Sequence, residues 1–368
     1  MVAGTVLRSH AGGYLVYDND HDAVFQCAAR GRLKKEQVSI LTGDRVELDE
    51  LDPEKGTAVI RSRQERQSIL SRPPLANVDQ VVIVQAIHQP DWSAILCDRY
   101  VVHFQLEMDF AKPVLCFNKC DLASEAELAS LRSIYEPLGY SVMIVSAKAG
   151  IGMEDLAQAL AGKVSVLTGP SGVGKSSILN YLEPSLHLRI GVMENEFGVG
   201  RHTTTYSELY NIRVKEEAGR NVPSWVADSP GFNILELSHP EPHDVVFQFP
   251  EILELAHDCK FTNCLHLVED GCNVAANLNK VSELRYKSYG ILVGEAQDEQ
   301  RARRGTSHKV ESSVKRVGGS AAGKGKHVPL LTGKYRTASR RTERQKLHHS
   351  QLDIDDADSE GETSESEE

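Results

Sequence analysis

One eight-residue segment, residues 169–176, constrains this chain more than any other feature of its sequence. It fits the phosphate-binding loop pattern G-x-x-x-x-G-K-[ST] at every position. Residues 164–168 have the composition of a buried strand entering the loop, and residues 177–182 have the apolar spacing of a helix leaving it. A chance match to a glycine-rich turn is the alternative, and the flanking strand and helix argue against it. The segment therefore predicts a nucleoside polyphosphate site in a strand–loop–helix unit.

The chemistry of this loop follows from its residue types. Glycines let the backbone close around a polyphosphate, so that N–H groups and the helix N-terminus face the negative charge. Lys175 is expected to reach the β- and γ-phosphates, and the Ser176 hydroxyl is expected to ligate Mg²⁺. The residues expected to bind the phosphates are Gly169, Pro170, Ser171, Gly172, Val173, Gly174, Lys175, Ser176 and Ser177.

Two further motifs follow predicted strands earlier in the chain. The strand predicted at residues 114–117 ends in Asn-Lys-Cys-Asp, and the strand at residues 142–145 ends in Ser-Ala-Lys. Open α/β sheets bind ligands beyond the carboxyl ends of their strands. Each motif is weak by itself, but together with the phosphate loop they predict a guanine nucleotide site. The residues expected to bind the base are Asn118, Lys119, Cys120, Asp121, Ser146, Ala147 and Lys148.

The side chains of these motifs suit guanine and not adenine. Asp121 can accept from both N1–H and the exocyclic amine of guanine, a donor pair that adenine does not present. Asn118 and the Ala147 N–H can serve O6, while the stems of Lys119 and Lys148 can cover the faces of the ring. Adenine would leave these buried polar groups unpaired, which discriminates strongly between the bases.

The order of the motifs is unusual. In ordinary GTPases the phosphate loop precedes the base-recognition motifs, whereas here it follows them. After the loop, His202-Thr203-Thr204-Thr205 suits a first switch in which a threonine hydroxyl contacts Mg²⁺ and the γ-phosphate. Asp228-Ser229-Pro230-Gly231 then fits the D-x-x-G pattern of a second switch. Since chain ends that lie close together tolerate permutation, the sequence predicts a circularly permuted GTPase domain. The switch residues expected to bind GTP are Thr203, Thr204, Thr205, Asp228 and Gly231.

A third group of residues has the spacing of a metal site. Cys259-x₄-Cys264-x-His266-x₅-Cys272 offers three thiolates and an imidazole, which suit one closed, tetrahedral Zn²⁺ site. Core cysteines beside an unrelated histidine are the alternative, and the polar residues between these ligands argue against it. The chain has seven cysteines, which is an odd number, and three of them lie between residues 259 and 272. Metal binding in a reducing compartment fits this distribution better than a disulfide framework does.

The composition divides the chain into four regions. Short β-rich runs separated by turns predict an all-β, OB-type barrel at residues 1–72, with a protein-docking β-domain as the alternative. Residues 73–233 alternate strands and helices, so a doubly wound α/β GTPase domain with a parallel sheet is expected. A mainly helical zinc-binding domain is expected at residues 234–296, and a disordered tail at residues 297–368.

The tail has a sharp charge asymmetry within a chain whose net charge is −11. Residues 301–346 hold fourteen Lys and Arg against two Glu, whereas residues 353–368 hold nine carboxylates and no Lys or Arg. The basic arm can follow RNA phosphates and the acidic tip can compete for that arm. A solvated tail without a specific partner is an equal alternative. No apolar run has the length of a membrane span and no signal pattern opens the chain, so the cytoplasm is the expected location.

With these motifs in this order, the chain resembles the circularly permuted GTPases of the RsgA family, also called YjeQ or EngC. The resemblance covers about residues 1–296. It implies a GTPase stimulated by the small ribosomal subunit, which acts late in the maturation of that subunit, docks at its decoding region and leaves upon hydrolysis. It also implies zinc at the four Cys/His positions. The implied partners are GTP, GDP, the small subunit and its rRNA, with no membrane, and we expect a monomer.

Catalysis would depend on positioning, charge neutralisation and an oriented water. Lys175 and Thr204 suit the first two requirements. The glutamine that orients water after D-x-x-G is absent, since Phe232 stands there. The family's G-R-H-T-T-T pattern places His202 as its substitute, although a contact of this histidine with RNA or solvent is the alternative. The leading function is a ribosome-assembly GTPase, and the alternative is an RNA-binding assembly module with a passive nucleotide site. Intact switch sequences favour the former.

Overall fold

A computed structural model describes most of the chain between residues 2 and 329. The described segments are residues 2–10, 13–35, 38–71, 73–108, 112–188, 208–215, 221–228, 237, 240–307, 314–317 and 326–329. The chain divides into two compact units, residues 1–300 and residues 301–368.

The N-terminal module is a closed five-stranded barrel with the neighbour order β1-β2-β3-β5-β4. Its pairs are antiparallel except β3–β5, which is parallel. The alternation of buried and exposed residues along β3 and β4 sends one face of each strand into the barrel core. The predicted OB-type barrel is confirmed. Its elements are β1 (Val2–His10), β2 (Gly13–Asp18), β3 (Ala23–Ala29), α1 (Gly31–Lys35), β4 (Arg45–Asp52) and β5 (Thr57–Arg63).

A bulge in β1 turns the barrel toward the next module. The register of β1 against β2 shifts between Val6 and Arg8, which leaves Leu7 between them. Val6 lies in the barrel core, whereas Leu7 packs in the core of the GTPase domain. There it joins Tyr17 of β2, whose ring meets that of Trp225 edge-on with centroids 4.8 Å apart. The barrel is therefore docked on the GTPase sheet through apolar contacts.

The connection between the two modules is tightly packed. Two short strands, β6 (Ile69–Leu70) and β7 (Leu75–Ala76), pair as a hairpin. Gly43 of the barrel has φ +89°, and a Cβ there would lie 2.1 Å from the backbone oxygen of Ala76. Backbone meets backbone at this point, so only glycine fits.

The central domain is a six-stranded sheet with the order β10-β9-β8-β11-β13-β12. Helices α2 and α3 cover one face, and α4 and α5 cover the other, so the predicted doubly wound architecture is confirmed. The strands are β8 (Gln80–Ala86), β9 (Val114–Asn118), β10 (Val142–Ile144), β11 (Val164–Thr168), β12 (Leu209–Lys215) and β13 (Asn221–Asp228). The helices are α2 (Ala94–Glu107), α3 (Glu125–Tyr135), α4 (Met153–Leu160) and α5 (Lys175–Leu182).

The expectation of a wholly parallel sheet was wrong at one edge. Strand β12 runs antiparallel to β13, while the other neighbours in this sheet are parallel. Only residues 216–220 separate β12 from β13. A parallel return needs a crossover of about a dozen residues or more, so this connection permits only an antiparallel pair.

The third module is mainly helical, as predicted. Its helices are α6 (Pro242–Val246), α7 (Pro250–Ala256), α8 (Asn273–Ala276) and α9 (Glu283–Ser307). Helix α9 corrects the expected tail boundary, because residues 297–307 are helical and not disordered. This stretch is rich in Gln, Glu, Ala and Arg, which are strong helix formers and extend a helix without burying apolar surface. Farther along, β14 (Val314–Val317) and β15 (Lys326–Pro329) form an antiparallel pair.

A buried cation joins the third module to the GTPase domain. The guanidinium of Arg285 lies 2.5 Å from Asp98 of α2 and 2.8 Å from Glu251 of α7. It also lies over the Phe249 ring, 4.4 Å from its centroid. Val102 of α2 belongs to the apolar core of the third module. Helix α2 is thus shared by both modules. None of the helices described here is long and apolar enough to cross a membrane.

Candidate nucleotide site and metal centre

The phosphate loop lies between β11 and α5, as the sequence predicts, and two of its glycines lie very close to atoms of neighbouring residues. Gly169 has φ +145°, and a Cβ there would lie 2.0 Å from the Val84 backbone oxygen. Gly174 has φ +99°, and a Cβ there would lie 2.3 Å from Nδ2 of Asn118. A side chain at Gly169 would push the loop away from the backbone of β8, whereas one at Gly174 would displace the Asn118 amide, and the positive φ at both positions favours glycine.

The lysine of the loop is buried beneath it. Lys175 is 8% exposed, and its Nζ donates to the backbone oxygens of Gly169 and Pro170, each at 2.9 Å. Burial lowers the pKa of Lys175 to about 8, and the negative charge of Asp228 opposes this shift. The ammonium group therefore sits where the loop would surround a polyphosphate, held by carbonyls that a phosphate can replace.

Ser176 and Asp228 form the candidate magnesium end of the site. The Ser176 Oγ lies 3.5 Å from Oδ2 of Asp228. Burial raises the pKa of Asp228, against the lowering effects of Lys175 and Ser176. The buried Oδ1 of Asp228 has no hydrogen-bond partner within the described part of the chain. A hydroxyl and a carboxylate with a spare oxygen are the hard oxygen donors that Mg²⁺ prefers, so these side chains fit the ion.

The first base motif is fastened to the phosphate loop. Asn118 donates from Nδ2 to the Val173 backbone oxygen at 2.9 Å and accepts from the Ala147 N–H at 3.1 Å. Lys119 donates from Nζ to the backbone oxygens of Gly172, at 2.8 Å, and Gln89. Asn118 and Ala147 were expected to serve guanine O6, but here they bond to each other. The hydrogen bonds of Asn118 hold the two base motifs and the phosphate loop together. The contact between Lys119 and the Gln89 backbone oxygen was not predicted.

Asp121 is oriented by the second base motif. Ser146 donates from Oγ to Oδ1 of Asp121 at 2.5 Å, and the same Oγ accepts the Ala149 N–H at 3.0 Å. Both Asp121 and Lys148 are exposed at this edge of the sheet. The structure thus brings the base motifs and the phosphate loop together at the carboxyl ends of β9, β10 and β11. Cys120 is buried within the motif, while Ser171 is exposed and Ser177 is half-buried.

The switch residues divide between described and undescribed parts. Asp228 is described at the end of β13. His202, Thr203, Thr204, Thr205 and Gly231 lie outside the described residues, so their places in the site stay predictions.

The four predicted zinc ligands converge. Ligand atoms of Cys259, Cys264, His266 and Cys272 all lie within 4.8 Å of one another. The Cys259 and Cys272 sulfurs are 3.9 Å apart, and His266 Nδ1 lies 3.4 and 3.7 Å from them. Zn–S bonds of about 2.3 Å in a tetrahedron place sulfurs about 3.8 Å apart. The cluster therefore has the size and ligand chemistry of a closed zinc site.

Backbone groups surround the cluster and prepare it for thiolates. The N–H groups of His266, Asn273 and Ala275 point at the Cys264, Cys259 and Cys272 sulfurs respectively, at 3.3 to 3.4 Å. Such donors favour the charged form of sulfur that a metal requires. The remaining cysteines, Cys27, Cys97, Cys116 and Cys120, are free and buried.

Other side chains fix the loop that carries the ligands, and the sequence pattern did not single them out. Glu269 accepts N–H bonds from Leu265, Leu267 and Val268 at 2.8 to 3.1 Å. From α9, the hydroxyls of Tyr286 and Tyr289 donate to the backbone oxygens of His266 and Leu265, at 2.8 and 2.7 Å. The geometry of the candidate metal cluster and the packing of α9 are therefore linked.

Comparison with known proteins gives the same outline. A family model described as RsgA GTPase matches residues 63–238, and one described as RsgA N-terminal domain matches residues 3–58. The small ribosomal subunit biogenesis GTPase RsgA of Shouchella clausii is 38% identical, over 82% of this chain and 99% of its own length. The protein of the same name from Moorella thermoacetica is also 38% identical, over 79% of this chain and 96% of its own length.

Solved structures are similar over the same extent. The crystal structure of YjeQ from Thermotoga maritima has a TM-score of 0.67 at 32% identity, and the match covers 80% of this chain and 98% of that one. YloQ, described as a circularly permuted GTPase, has a TM-score of 0.63 at 31% identity, with 81% and 96% covered.

Proposed function

Because the chain belongs to the RsgA family of circularly permuted GTPases, we propose that it hydrolyses GTP in the biogenesis of the small ribosomal subunit. The observation that carries this proposal is the meeting of the phosphate loop with both base motifs at one edge of the permuted sheet. The relatives named above support the ribosomal role, since their printed names state it.

We propose that hydrolysis proceeds by positioning and charge stabilisation. Lys175 leaves its loop carbonyls for the β- and γ-phosphates when GTP enters. Ser176 and Asp228 are the described residues that would hold Mg²⁺, which neutralises charge on these phosphates when bound. Thr204 adds its hydroxyl at the γ-phosphate, and His202 orients the attacking water. Phosphate release then frees the first switch.

The zinc site is proposed to be structural. Three thiolates and one imidazole would fill the four positions that zinc takes in structural sites and would leave none for substrate. The barrel and the basic arm are proposed to contact rRNA, and the protein is proposed to act as a monomer in the cytoplasm. An RNA-binding module with a passive nucleotide site is the less favoured alternative, because a buried ammonium, that of Lys175, and a half-buried carboxylate, that of Asp228, lie together where the phosphates would bind.

GTP turnover with and without purified small subunits tests the proposed activity. We expect turnover to rise when subunits are added and to be lost in Lys175→Ala, because that variant lacks the ammonium that faces the phosphates. Turnover that is absent under both conditions in the wild-type protein would favour the passive alternative.

Nucleotide state is expected to control subunit binding. A ligand shifts a conformational equilibrium only by its differential affinity, and a coupling of about 1–3 kcal/mol corresponds to about 5–150-fold in affinity. We therefore expect a non-hydrolysable GTP analogue to strengthen binding to small subunits by this range relative to GDP, measured at equilibrium. His202→Ala should keep the difference while slowing turnover. Equal affinity in the two nucleotide states would contradict the coupling.

The basic arm is expected to add salt-dependent RNA affinity. Truncation after Gln297 removes the arm together with the acidic tip. Each lost contact with a phosphate of single-stranded RNA should lower the log–log salt slope of binding by about 0.7. A matched chain truncated only after Ser350 keeps the basic arm and should retain the slope. If the longer truncation leaves both affinity and slope unchanged, the arm is a solvated tail.

A further inference from the structure

The β8–α2 connection, residues 87–93, holds the first base motif at two points. The Ile87 N–H donates to the Asn118 backbone oxygen at 3.1 Å. The Gln89 backbone oxygen accepts a hydrogen bond from Nζ of Lys119. Because Lys119 also donates to a backbone oxygen of the phosphate loop, the connection is tied to both parts of the candidate nucleotide site.

His88, which stands between those two contacts in the chain, bridges two carboxylates. Its Nδ1 lies 3.1 Å from Oδ1 of Asp91 in the same connection, and its Nε2 lies 3.2 Å from Oε1 of Glu127 in α3. The other oxygen of Glu127 accepts from the N–H and Oγ of Ser124, at 2.8 and 2.7 Å, so the capping box of α3 fixes this carboxylate. A neutral imidazole carries hydrogen on one ring nitrogen only. Both contacts are therefore hydrogen bonds only when His88 is an imidazolium.

The groups that face His88 favour this charged form. Asp91 raises the pKa of His88 above its ordinary value of 6.5, and Glu127 adds to the rise, while desolvation opposes it. Both contacts are therefore complete at low pH, and one of them is lost as the pH rises through the raised pKa. The His88 side chain is 35% exposed, so the contacts have the strength of surface ion pairs.

We propose that His88 is a positioning residue for guanine recognition, which fastens the β8–α2 connection to α3 through Asp91 and Glu127. When the imidazolium loses its proton, one ring nitrogen presents a lone pair to a carboxylate, and the connection loosens from α3. The Gln89 carbonyl is then less firmly placed for Lys119, whose stem is expected to cover the guanine ring. Guanine nucleotide affinity therefore falls as His88 deprotonates. This assignment rests on the proposed function, because it presumes that the first base motif binds guanine.

The test measures the affinity of the full-length chain for a fluorescent GDP from about pH 6 to about pH 9, the range in which a histidine titrates. Lys175 has a pKa of about 8 and titrates in the same range, so the readout is the ratio of wild-type to His88→Gln affinity at each pH. We expect a ratio of about two to five at the lower end, the scale of exposed ion pairs, and about one at the upper end. By reciprocity, GDP should raise the pKa of His88, measured by NMR of the histidine rings.

Two further variants isolate the contacts. Glu127→Gln keeps the capping box, because glutamine serves there as well, and its amide can bond to either form of His88. This variant should therefore lose most of the pH dependence that depends on His88. His21→Gln is the matched control, since His21 pairs with Asp18 at 2.9 Å in the barrel with the same type of contact and should give a ratio of about one at every pH.

Each result bears on a different claim. A ratio for His88→Gln that does not change with pH, an equal change in His21→Gln, or a pH dependence that Glu127→Gln retains in full would overturn the assignment of His88. Thermal unfolding of each variant identifies a general loss of stability, which would not disappear at the upper end of the pH range. Wild-type protein that binds GDP with the expected pH dependence but never hydrolyses GTP would refute the proposed function and leave the His88 result valid. Wild-type protein that binds no guanine nucleotide would overturn both.

Discussion

Asp121→Asn is expected to weaken GTP binding by about 10²- to 10⁴-fold. The carboxylate is oriented by Ser146 at the exposed edge of the site, and it would accept two hydrogen bonds from guanine. Hydrogen bonds to charged groups contribute about 1.5–3 kcal/mol each, and two of them give the stated range. An asparagine amide would also place an N–H donor opposite the N–H donors of guanine, which disfavours guanine. The same donor could bond to the carbonyl that xanthine has at this edge.

Competition of GTP and xanthosine triphosphate for a bound fluorescent nucleotide measures this change. The variant should accept xanthosine triphosphate in part, whereas the wild-type protein should reject it. Asp155→Asn on the exposed side of α4 provides a matched control that removes one carboxylate away from the base. Unchanged GTP affinity in Asp121→Asn would reject the assignment of Asp121 to the guanine edge.

Loss of the metal is expected to unfold the third module. Structural zinc contributes about 10–16 kcal/mol of apparent binding free energy in small zinc modules, which is as large as the total stability of a typical domain, about 5–15 kcal/mol. Cys272→Ser should therefore release zinc and abolish protection of α8 and the ligand loop from hydrogen exchange. The loop depends on its ligands because Cys264 and Cys272, its buried contributions to this core, are themselves two of the four candidate metal ligands.

Elemental analysis of protein purified without chelator should find one zinc per chain. Cys27→Ala, at a free cysteine in the barrel, should keep the metal and serves as the control. Absence of zinc from the wild-type protein, or its retention in Cys272→Ser, would refute a structural zinc site.

Sequence patterns predicted the features of this molecule that depend on residues close together in the chain or on general rules of sheet topology. Helix α3 begins at Glu125 because Ser124 and Glu127 form a capping box there, a start signal that the sequence itself carries. The base motifs and the phosphate loop meet because parallel strands end at one edge of a sheet. The four metal ligands converge since their spacing closes one short loop. Strand β12 was missed, although its alternating Tyr210, Ile212 and Val214 carried the signal.

The unpredicted features depend on contacts between distant parts of the chain. Arg285 reads as an ordinary helix-surface arginine in sequence, yet it is fully buried because Asp98 and Glu251 meet it from two other helices. Asn118 has enough donors and acceptors for a base, but tertiary geometry directs them to Val173 and Ala147. The bulge that aims Leu7 and Arg8 at the GTPase sheet has no local sequence signal, since it is set by the register of β1 against β2.

The buried contact between Asp98 and Arg285 has a consequence for synthesis of the protein. The two residues are 187 positions apart, and chains grow at about 5–20 residues per second, so Asp98 emerges about 10–40 s before its partner. Through that interval Asp98 of α2 lacks its guanidinium partner, and the apolar Val102 lies on a face that the third module covers in the folded chain. The barrel, which is complete by Arg63, can fold at once. The nascent GTPase domain must wait for α9, and this interval is when it is most exposed to misassociation and to chaperones.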